Sequence, residues 1–336
     1  MDIAALHDAI LRQDRRALAQ SITLIESRRA SDRAQAMALL GRLHRSTKPT
    51  GAPPRERKAL RIGISGAPGV GKSTFIEAFG LWLTKRSQRV AVLPVDPSSV
   101  GSGGAILGDK TRMTRLSREA SAYIRPSPSG GTTGGVAQRT HEVVALCEAA
   151  GFDIILIETV GVGQSETTAA QLSDIFVLLL SPEGGDELQG IKRGILEMAD
   201  LVIINKADGA LQSAALRTCA DYAAALRVRG GQAWHPAGYP LAMTMSAQET
   251  QGIGAVWKAI HNLAEWRSAE GMIQKRRMRQ AHYWFVDSIR QSMLEQLESS
   301  RAQNHIQEFS HKVARGQMAP SVAAQQVLRA LGFLPP

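Results

Sequence analysis

An α/β fold with a mostly parallel central sheet, flanked by helical extensions at both ends, is what this chain of 336 residues predicts. Three observations carry it. Between 61 and 268, short runs of Val, Ile and Leu alternate with stretches of helical periodicity, the pattern of strands joined by crossover helices. Those runs are almost continuously apolar, as strands buried on both faces are. Both ends of the chain lack such runs and repeat apolar residues at helical spacing instead.

In chain order, residues 1–45 read as helices, with Leu18, Ile22 and Ile25 on one face between charged positions. Ser46 to Pro54 holds Lys-Pro, Gly and Pro-Pro and reads as a linker, so an N-terminal helical extension and linker occupy 1–55. The central domain spans 56–268. Its strands are predicted at 61–66, 89–95, 153–158, 175–180, 201–205 and 241–245. From 271 the chain turns helical again, and 269–336 form a C-terminal helical segment. Val286, Ile289, Met293 and Leu297 make one stripe there, Pro320 opens a last helix and Gly332 ends it. A short helical tail with such a stripe buries itself poorly alone. It is expected to pack on the core or on a second subunit.

The first strand runs into Gly66-Ala67-Pro68-Gly69-Val70-Gly71-Lys72-Ser73-Thr74, which matches G-x-x-x-x-G-K-[ST] completely. Its glycines let successive backbone N–H groups converge on phosphate oxygens, and the following helix adds its positive end. Lys72 is expected to reach the β- and γ-phosphates and Ser73 to ligate Mg²⁺. The fold is therefore a P-loop NTPase. Ala67 argues against the related ATPases that carry a second lysine at that position.

Asn205-Lys206-Ala207-Asp208 follows the run Leu201 to Ile204. Asp208 can accept from guanine N1–H and the 2-amino group together, Asn205 can meet the N7/O6 edge, and the stem of Lys206 can lie along the ring. Adenine offers neither donor, and each orphaned group costs roughly 1–3 kcal/mol, so discrimination of about a hundredfold or more follows. Met243-Thr244-Met245-Ser246-Ala247 reads as a last strand whose loop, at Ser246 and Ala247, closes over the base with the Ala247 N–H toward O6. The two strings together specify GTP and GDP.

Asp153 to Glu158 reads as a buried strand ending in a carboxylate. Glu158-Thr159-Val160-Gly161 fits [DE]-x-x-G, whose acid sits by Mg²⁺ and whose glycine N–H meets the γ-phosphate. Asp96 follows the strand Val90 to Val95, at the strand end where open α/β sheets bind ligands. Asp109 follows the glycine-rich stretch Gly101 to Gly104. For both, metal or water coordination stands beside helix capping and turn chemistry. Val162 occupies the place of the water-orienting glutamine of many small GTPases, and Gln164 lies two residues on. A group supplied by a partner can be worth about 10³–10⁵ in rate, so turnover is expected to be controlled by another protein. The glycine-rich segments 101–104, 129–135 and 181–190 read as switches rather than plain surface loops.

Cys147 and Cys219 stand apart with no metal spacing, which points to a reducing, cytoplasmic compartment. The apolar run Ile175 to Leu180 is too short to span a bilayer. No signal peptide opens the chain, and Asp2, Asp8 and Asp14 argue against a transit peptide. Net charge is +10, unevenly spread: 1–60 carry 12 basic and 6 acidic side chains, 266–336 carry 10 and 5, and 61–265 carry 18 and 19. Basic flanks without aromatic interleaving or a recognised binding motif point to solvated helix faces rather than nucleic acid. His141, His235 and His261 are too scattered to read as metal ligands.

Several longer strings resemble one family. Val95-Asp96-Pro97-Ser98-Ser99, Ile106 to Met113, Ile124-Arg125-Pro126-Ser127-Pro128, Glu158 to Glu166 and Gly185 to Lys192 look like the MeaB/ArgK GTPases, a group that also contains the nickel metallochaperones. The resemblance runs from the N-terminal helices to the end and is densest over 60–210. It implies a GTPase chaperone of adenosylcobalamin-dependent acyl-CoA mutases, mainly methylmalonyl-CoA mutase, that gates cofactor loading and protects or reactivates the mutase. It further implies a homodimer through the C-terminal helices, Mg²⁺ held among Ser73, Asp96, Asp109 and Glu158, and a third switch over 181–194. Within that switch, Lys192 either enters the nucleotide site or pairs across an interface. With Lys72, Glu158 and Asp96 it completes the catalytic candidates. The stretch 229–241 is less familiar. An alternative function attached to ArgK relatives is a kinase-like regulator of basic amino-acid transport. The metallochaperone cousins would call for His-rich or Cys-based metal sites.

Overall fold

The computed structural model describes residues 2–27, 29–46, 59–95, 113–125, 133–159, 164–182, 193–230 and 233–335. The chain forms two compact units, 1–280 and 281–336. The first is built on seven parallel strands: β1 Leu60–Ser65, β2 Val90–Val95, β3 Ala122–Ile124, β4 Ile154–Thr159, β5 Ile175–Leu180, β6 Leu201–Ile204 and β7 Leu241–Thr244. Their order across the sheet is β3-β2-β4-β1-β5-β6-β7. All six strands predicted from sequence are present, each end within one residue. β1, β2, β4, β5 and β6 are buried almost throughout, because helices cover both faces and no side chain has a solvent face to alternate toward. β3 escapes a sequence reading. It is three residues long, with only Tyr123 partly exposed between two buried neighbours, and it exists through its register with β2, Val90 facing Ala122.

The chain builds β2, β3 and β4 on one side of β1, then β5, β6 and β7 on the other. β1 is thus the switch point, and the crevice for a ligand lies at its carboxyl end. The first-unit helices of the sheet are α4 Lys72–Thr84, α5 Thr133–Ala149, α6 Gln164–Leu172, α7 Arg193–Met198, α8 Gln212–Arg229 and α9 Ile253–Ala269. α4 packs Phe75, Ile76 and Phe79 into the core, with the two phenyl rings stacked at 5.3 Å.

Three N-terminal helices, α1 Ile3–Leu11, α2 Arg15–Glu26 and α3 Ala30–Ser46, pack together and against α5. Asp2 and Asp14 cap the first two. Asp2 accepts the Ala4 N–H at 2.8 Å, and Asp14 accepts Arg16 and Ala17 at 2.7 and 2.9 Å. The stripe Leu18, Ile22 and Ile25 is buried as expected. The helices are tied to the sheet by charge. Arg125, fully buried just past β3, donates through Nε to Glu26 Oε1 at 2.6 Å, and Arg33 pairs with Glu142 at 3.1 Å. Removing one partner of a buried ion pair costs about 3–5 kcal/mol. Glu26 is partly exposed, so Glu26→Ala is expected to lower unfolding stability by about 3 kcal/mol, at the low end of that range. Urea titration of both proteins measures it, and an unchanged midpoint would deny the tie.

A second charge network lies at the amino ends of β5 and β6. Asp174 accepts the Arg61 N–H at 3.0 Å and Arg277 Nε at 2.8 Å. Asp200 accepts the Phe176 N–H at 2.9 Å, Arg267 Nη1 at 3.0 Å and His235 Nε2 at 2.8 Å. Burial pushes both carboxyls up, but the Arg277 guanidinium at Asp174, and at Asp200 its hydrogen bond from His235 together with the Arg267 guanidinium, outweigh it and hold both below the usual carboxylate range.

The helix α10 Met272–Leu297 starts in the first unit and continues into the second, where α11 Ser300–Ala314 packs on α12 Pro320–Ala330 around Ala302, Ala323 and Val327. Pro320 opens the last helix and Gly332 follows its end in a left-handed conformation, φ 80°. The stripe expected to find cover is exposed at Val286, Ile289 and Met293.

Candidate nucleotide site

The loop after β1 needs its glycines for space as well as dihedral freedom. Gly71 has φ 89°, and a Cβ there would stand 2.6 Å from Asn205 Nδ2. At Gly66 a Cβ would collide with the Leu179 carbonyl oxygen. The loop therefore lies directly against β5 and the residue that follows β6. α4 begins at Lys72, whose buried ammonium donates to the carbonyls of Gly66 at 2.7 Å and Ala67 at 3.0 Å. One turn of backbone thus carries the cation and the N–H groups of a phosphate cradle together.

β4 lies beside β1 with Glu158 opposite Ile64, which brings the Glu158 carboxylate to the first turn of α4. Ser73 Oγ donates to Glu158 Oε1 at 3.3 Å, and Glu158 is buried. A hydroxyl and a carboxylate side by side are hard oxygen donors of the kind Mg²⁺ takes. One residue on, Thr159 Oγ1 donates to Ser65 Oγ at 3.1 Å, a second stitch between these strand ends.

The base side is assembled from β6 and the loop after β7. Asn205 Nδ2 donates to the Val70 carbonyl at 2.9 Å, and its Oδ1 accepts the Ala247 N–H at 3.1 Å. One amide thus ties the phosphate loop to the base loop. The Ala247 N–H, expected to face O6, donates to Asn205 where the loop folds back through the paired Ser246 and Gln251 backbones, each N–H 3.1 Å from the other carbonyl. Lys206 holds a left-handed conformation, φ 59°, sparsely populated for residues other than glycine. Asp208 is half-buried. Ser246 Oγ makes a short hydrogen bond to its Oδ2, and Ser246 in turn accepts the Glu249 N–H at 3.0 Å.

Gly66 to Thr74, Glu158, Asn205, Lys206, Asp208, Ser246 and Ala247 are therefore placed along the carboxyl edge of the sheet. Asp96, Asp109, Gly161 and Lys192 lie outside the described residues. Sequence reasoning missed a cleft of about 310 Å³ beside α4, lined by Thr74, Glu77, Trp82, Arg115, Ala247 and Thr250. Glu77 Oε1 holds its wall by accepting the Arg115 N–H at 2.7 Å, a partner 38 residues away that no local pattern signals. His235 is buried on Asp200, and His261 is stacked on Trp257 at 5.4 Å. Burial pushes the Cys147 thiol up to about 12, so it carries no nucleophile. Among the described residues no helix is long and apolar enough to cross a membrane.

A family model described as methylmalonyl Co-A mutase-associated GTPase MeaB matches residues 18–302. The chain is 46% identical to a putative GTPase of Caulobacter vibrioides over 99% of both proteins. It is 44% identical to the mitochondrial methylmalonic aciduria type A homolog of Mus musculus, over 97% of this chain and 78% of that protein. It is also 44% identical to GTPase ArgK of Escherichia coli, over 85% and 84%. Among solved structures, the crystal structure of an LAO/AO transport system kinase superposes with TM-score 0.72 at 31% identity, covering 98% of this chain and 97% of that one.

Proposed function

The chain belongs to the MeaB family of methylmalonyl Co-A mutase-associated GTPases, and from that premise we propose that this GTPase is the chaperone of an adenosylcobalamin-dependent acyl-CoA mutase, methylmalonyl-CoA mutase first among them. In this role it gates cofactor loading and protects or reactivates the mutase. The observation that carries the proposal is the family match over 18–302, joined to a site whose phosphate and base loops share one brace at Asn205.

In the proposed mechanism, the loop from Gly66 to Thr74 cradles GTP or GDP, and Asp208, positioned by Ser246, reads the guanine. Lys72 places its positive charge on the β- and γ-phosphate oxygens, where charge grows as water attacks the γ-phosphorus and the bond to GDP breaks. Ser73 and Glu158, with Asp96 and Asp109, would hold Mg²⁺, which neutralises charge between the β- and γ-phosphates when bound. Val162 supplies no water-orienting amide, so turnover waits on a group from the partner, with Lys192 a candidate for entering the site. Residues 56–268 carry this chemistry, and 269–336 carry a homodimer contact through the exposed stripe Val286, Ile289 and Met293. A reducing cytosol suits its two free cysteines, Cys147 and Cys219.

Capture experiments test the partner. Immobilised chain loaded with GDP or with a non-hydrolysable GTP analogue is offered purified methylmalonyl-CoA mutase. Retention is expected in at least one nucleotide state, together with faster GTP turnover. No retention in either state removes the chaperone reading. The likeness to the LAO/AO transport system kinase favours a second reading, regulation of basic amino-acid transport, which predicts phosphate transfer to a transport protein.

A further inference from the structure

α6 runs from the nucleotide edge of the sheet toward its opposite edge. It begins at Gln164, three residues after Gly161, and ends at Leu172, two residues before Asp174, which precedes β5. Its carboxyl end is gripped from two directions. On the sheet side lies Gly63 of β1. A Cβ there would stand 2.8 Å from Phe176 Cδ2 of β5, 2.9 Å from Ser173 Oγ and 3.2 Å from the Ala169 carbonyl oxygen, so helix and strand approach as closely as a glycine allows. The other grip is α10. Arg276 donates through Nε to the Ser173 carbonyl at 2.8 Å and through Nη2 to the Ala170 carbonyl at 2.9 Å. Gln280 Nε2 donates to the Ser173 carbonyl at 2.8 Å. Carbonyls at a helix end have no partner within the helix, and a guanidinium there also meets the negative end of the dipole. Beside them Arg277 Nη2 donates to the Ala59 carbonyl, next to β1, at 2.6 Å. None of these three side chains is among those placed around the nucleotide.

We propose that Arg276 and Gln280 are positioning residues for GTP hydrolysis. By fixing the carboxyl end of α6 they set where its first residue, Gln164, stands relative to the Ser73 and Glu158 pair. A nine-residue helix is a stiff rod of about 13 Å. A tilt at its pinned end therefore becomes a displacement at the other, and a misplacement of about 1 Å can slow a reaction about 10²-fold. α10 continues past Gln280 and carries exposed Val286, Ile289 and Met293. Whatever covers that stripe binds the same helix that grips α6. The proposal rests on the GTPase activity and not on the mutase reading, so failure of mutase capture leaves it standing.

The test uses the full chain with three variants: Arg276→Met, Gln280→Met, and Gly63→Ala, which crowds the end of α6 from the opposite face and also meets the Phe176 ring of β5, so its melting curve is read beside its rate. Single-turnover GTP hydrolysis, affinity for a fluorescent GDP, and thermal melting are read on each. Arg276→Met is expected to slow hydrolysis about 10²-fold with GDP affinity unchanged. Gln280→Met and Gly63→Ala should show the same split to a lesser degree. Arg276→Lys, which keeps the charge and one of the two bonds, should recover part of the rate. If Arg276→Met does not fold, the other two variants decide. Hydrolysis at the wild-type rate in folded variants overturns the proposal, and so does a rate that falls only in step with GDP affinity or with the folded fraction.

Discussion

Replacing Lys72 with alanine is expected to slow GTP hydrolysis about 10²–10⁴-fold while the protein stays folded. The range follows from what the ammonium does. It sits at the mouth of the phosphate loop, 2.7 Å from the Gly66 carbonyl and 3.0 Å from that of Ala67, at the first residue of α4. From there two of its N–H groups can turn to the β- and γ-phosphates. A hydrogen bond involving a charged group contributes about 1.5–3 kcal/mol, and two of them convert to about 10²–10⁴ in rate at 1.36 kcal/mol per decade. The core of α4 is built from Phe75, Ile76 and Phe79, which the substitution does not touch. Single-turnover phosphate release with melting curves checks the expectation. Lys72→Arg is no rescue, because a planar fork does not replace a compact ammonium in a loop this tight. Hydrolysis by Lys72→Ala within about tenfold of wild type would move the chemistry elsewhere, since that is less than a single charged hydrogen bond supplies.

The features that could be read from sequence share one property: neighbours along the chain make them. Gly66 to Thr74 is a cradle because consecutive N–H groups converge, and the strand Leu201–Ile204 delivers Asn205 and Asp208 to one sheet edge within a few residues. The buried strands announced themselves because parallel strands covered on both faces need uninterrupted apolar runs. What escaped depends on distance along the chain. Asn205 and Val70 are 135 residues apart, Arg277 and Ala59 are 218 apart, and no local spacing reports either pair. β3 escaped because a three-residue strand has no periodicity to show. Asn205 shows the same limit: beside the base contact that its residue type fits, its amide braces the loops of Val70 and Ala247, a role that no local spacing reports.

Asp208 tests base recognition, and Asp208→Asn is expected to weaken GTP binding at least about thirtyfold while admitting xanthosine triphosphate. Ser246 decides the direction of the effect. Its hydroxyl donates to Asp208 Oδ2, and its oxygen already accepts the Glu249 N–H at 3.0 Å. An asparagine at 208 therefore satisfies Ser246 with its carbonyl oxygen and turns its amide nitrogen toward the base. Guanine presents N1–H and a 2-amino group there, so donor meets donor. Two unpaired donors at about 1 kcal/mol each, the low end of the usual range, give about 2 kcal/mol or more, which is about thirtyfold in Kd. Xanthine carries an oxygen at position 2, so the asparagine nitrogen gains an acceptor and the preference shifts toward it. Calorimetry with GTP, ATP and xanthosine triphosphate on both proteins reads all three terms. Wild type is expected to exclude ATP, since adenine leaves Asp208 without a donor. Equal GTP affinity in wild type and Asp208→Asn would mean that Asp208 does not face the base, and the guanine preference would then need a different acceptor.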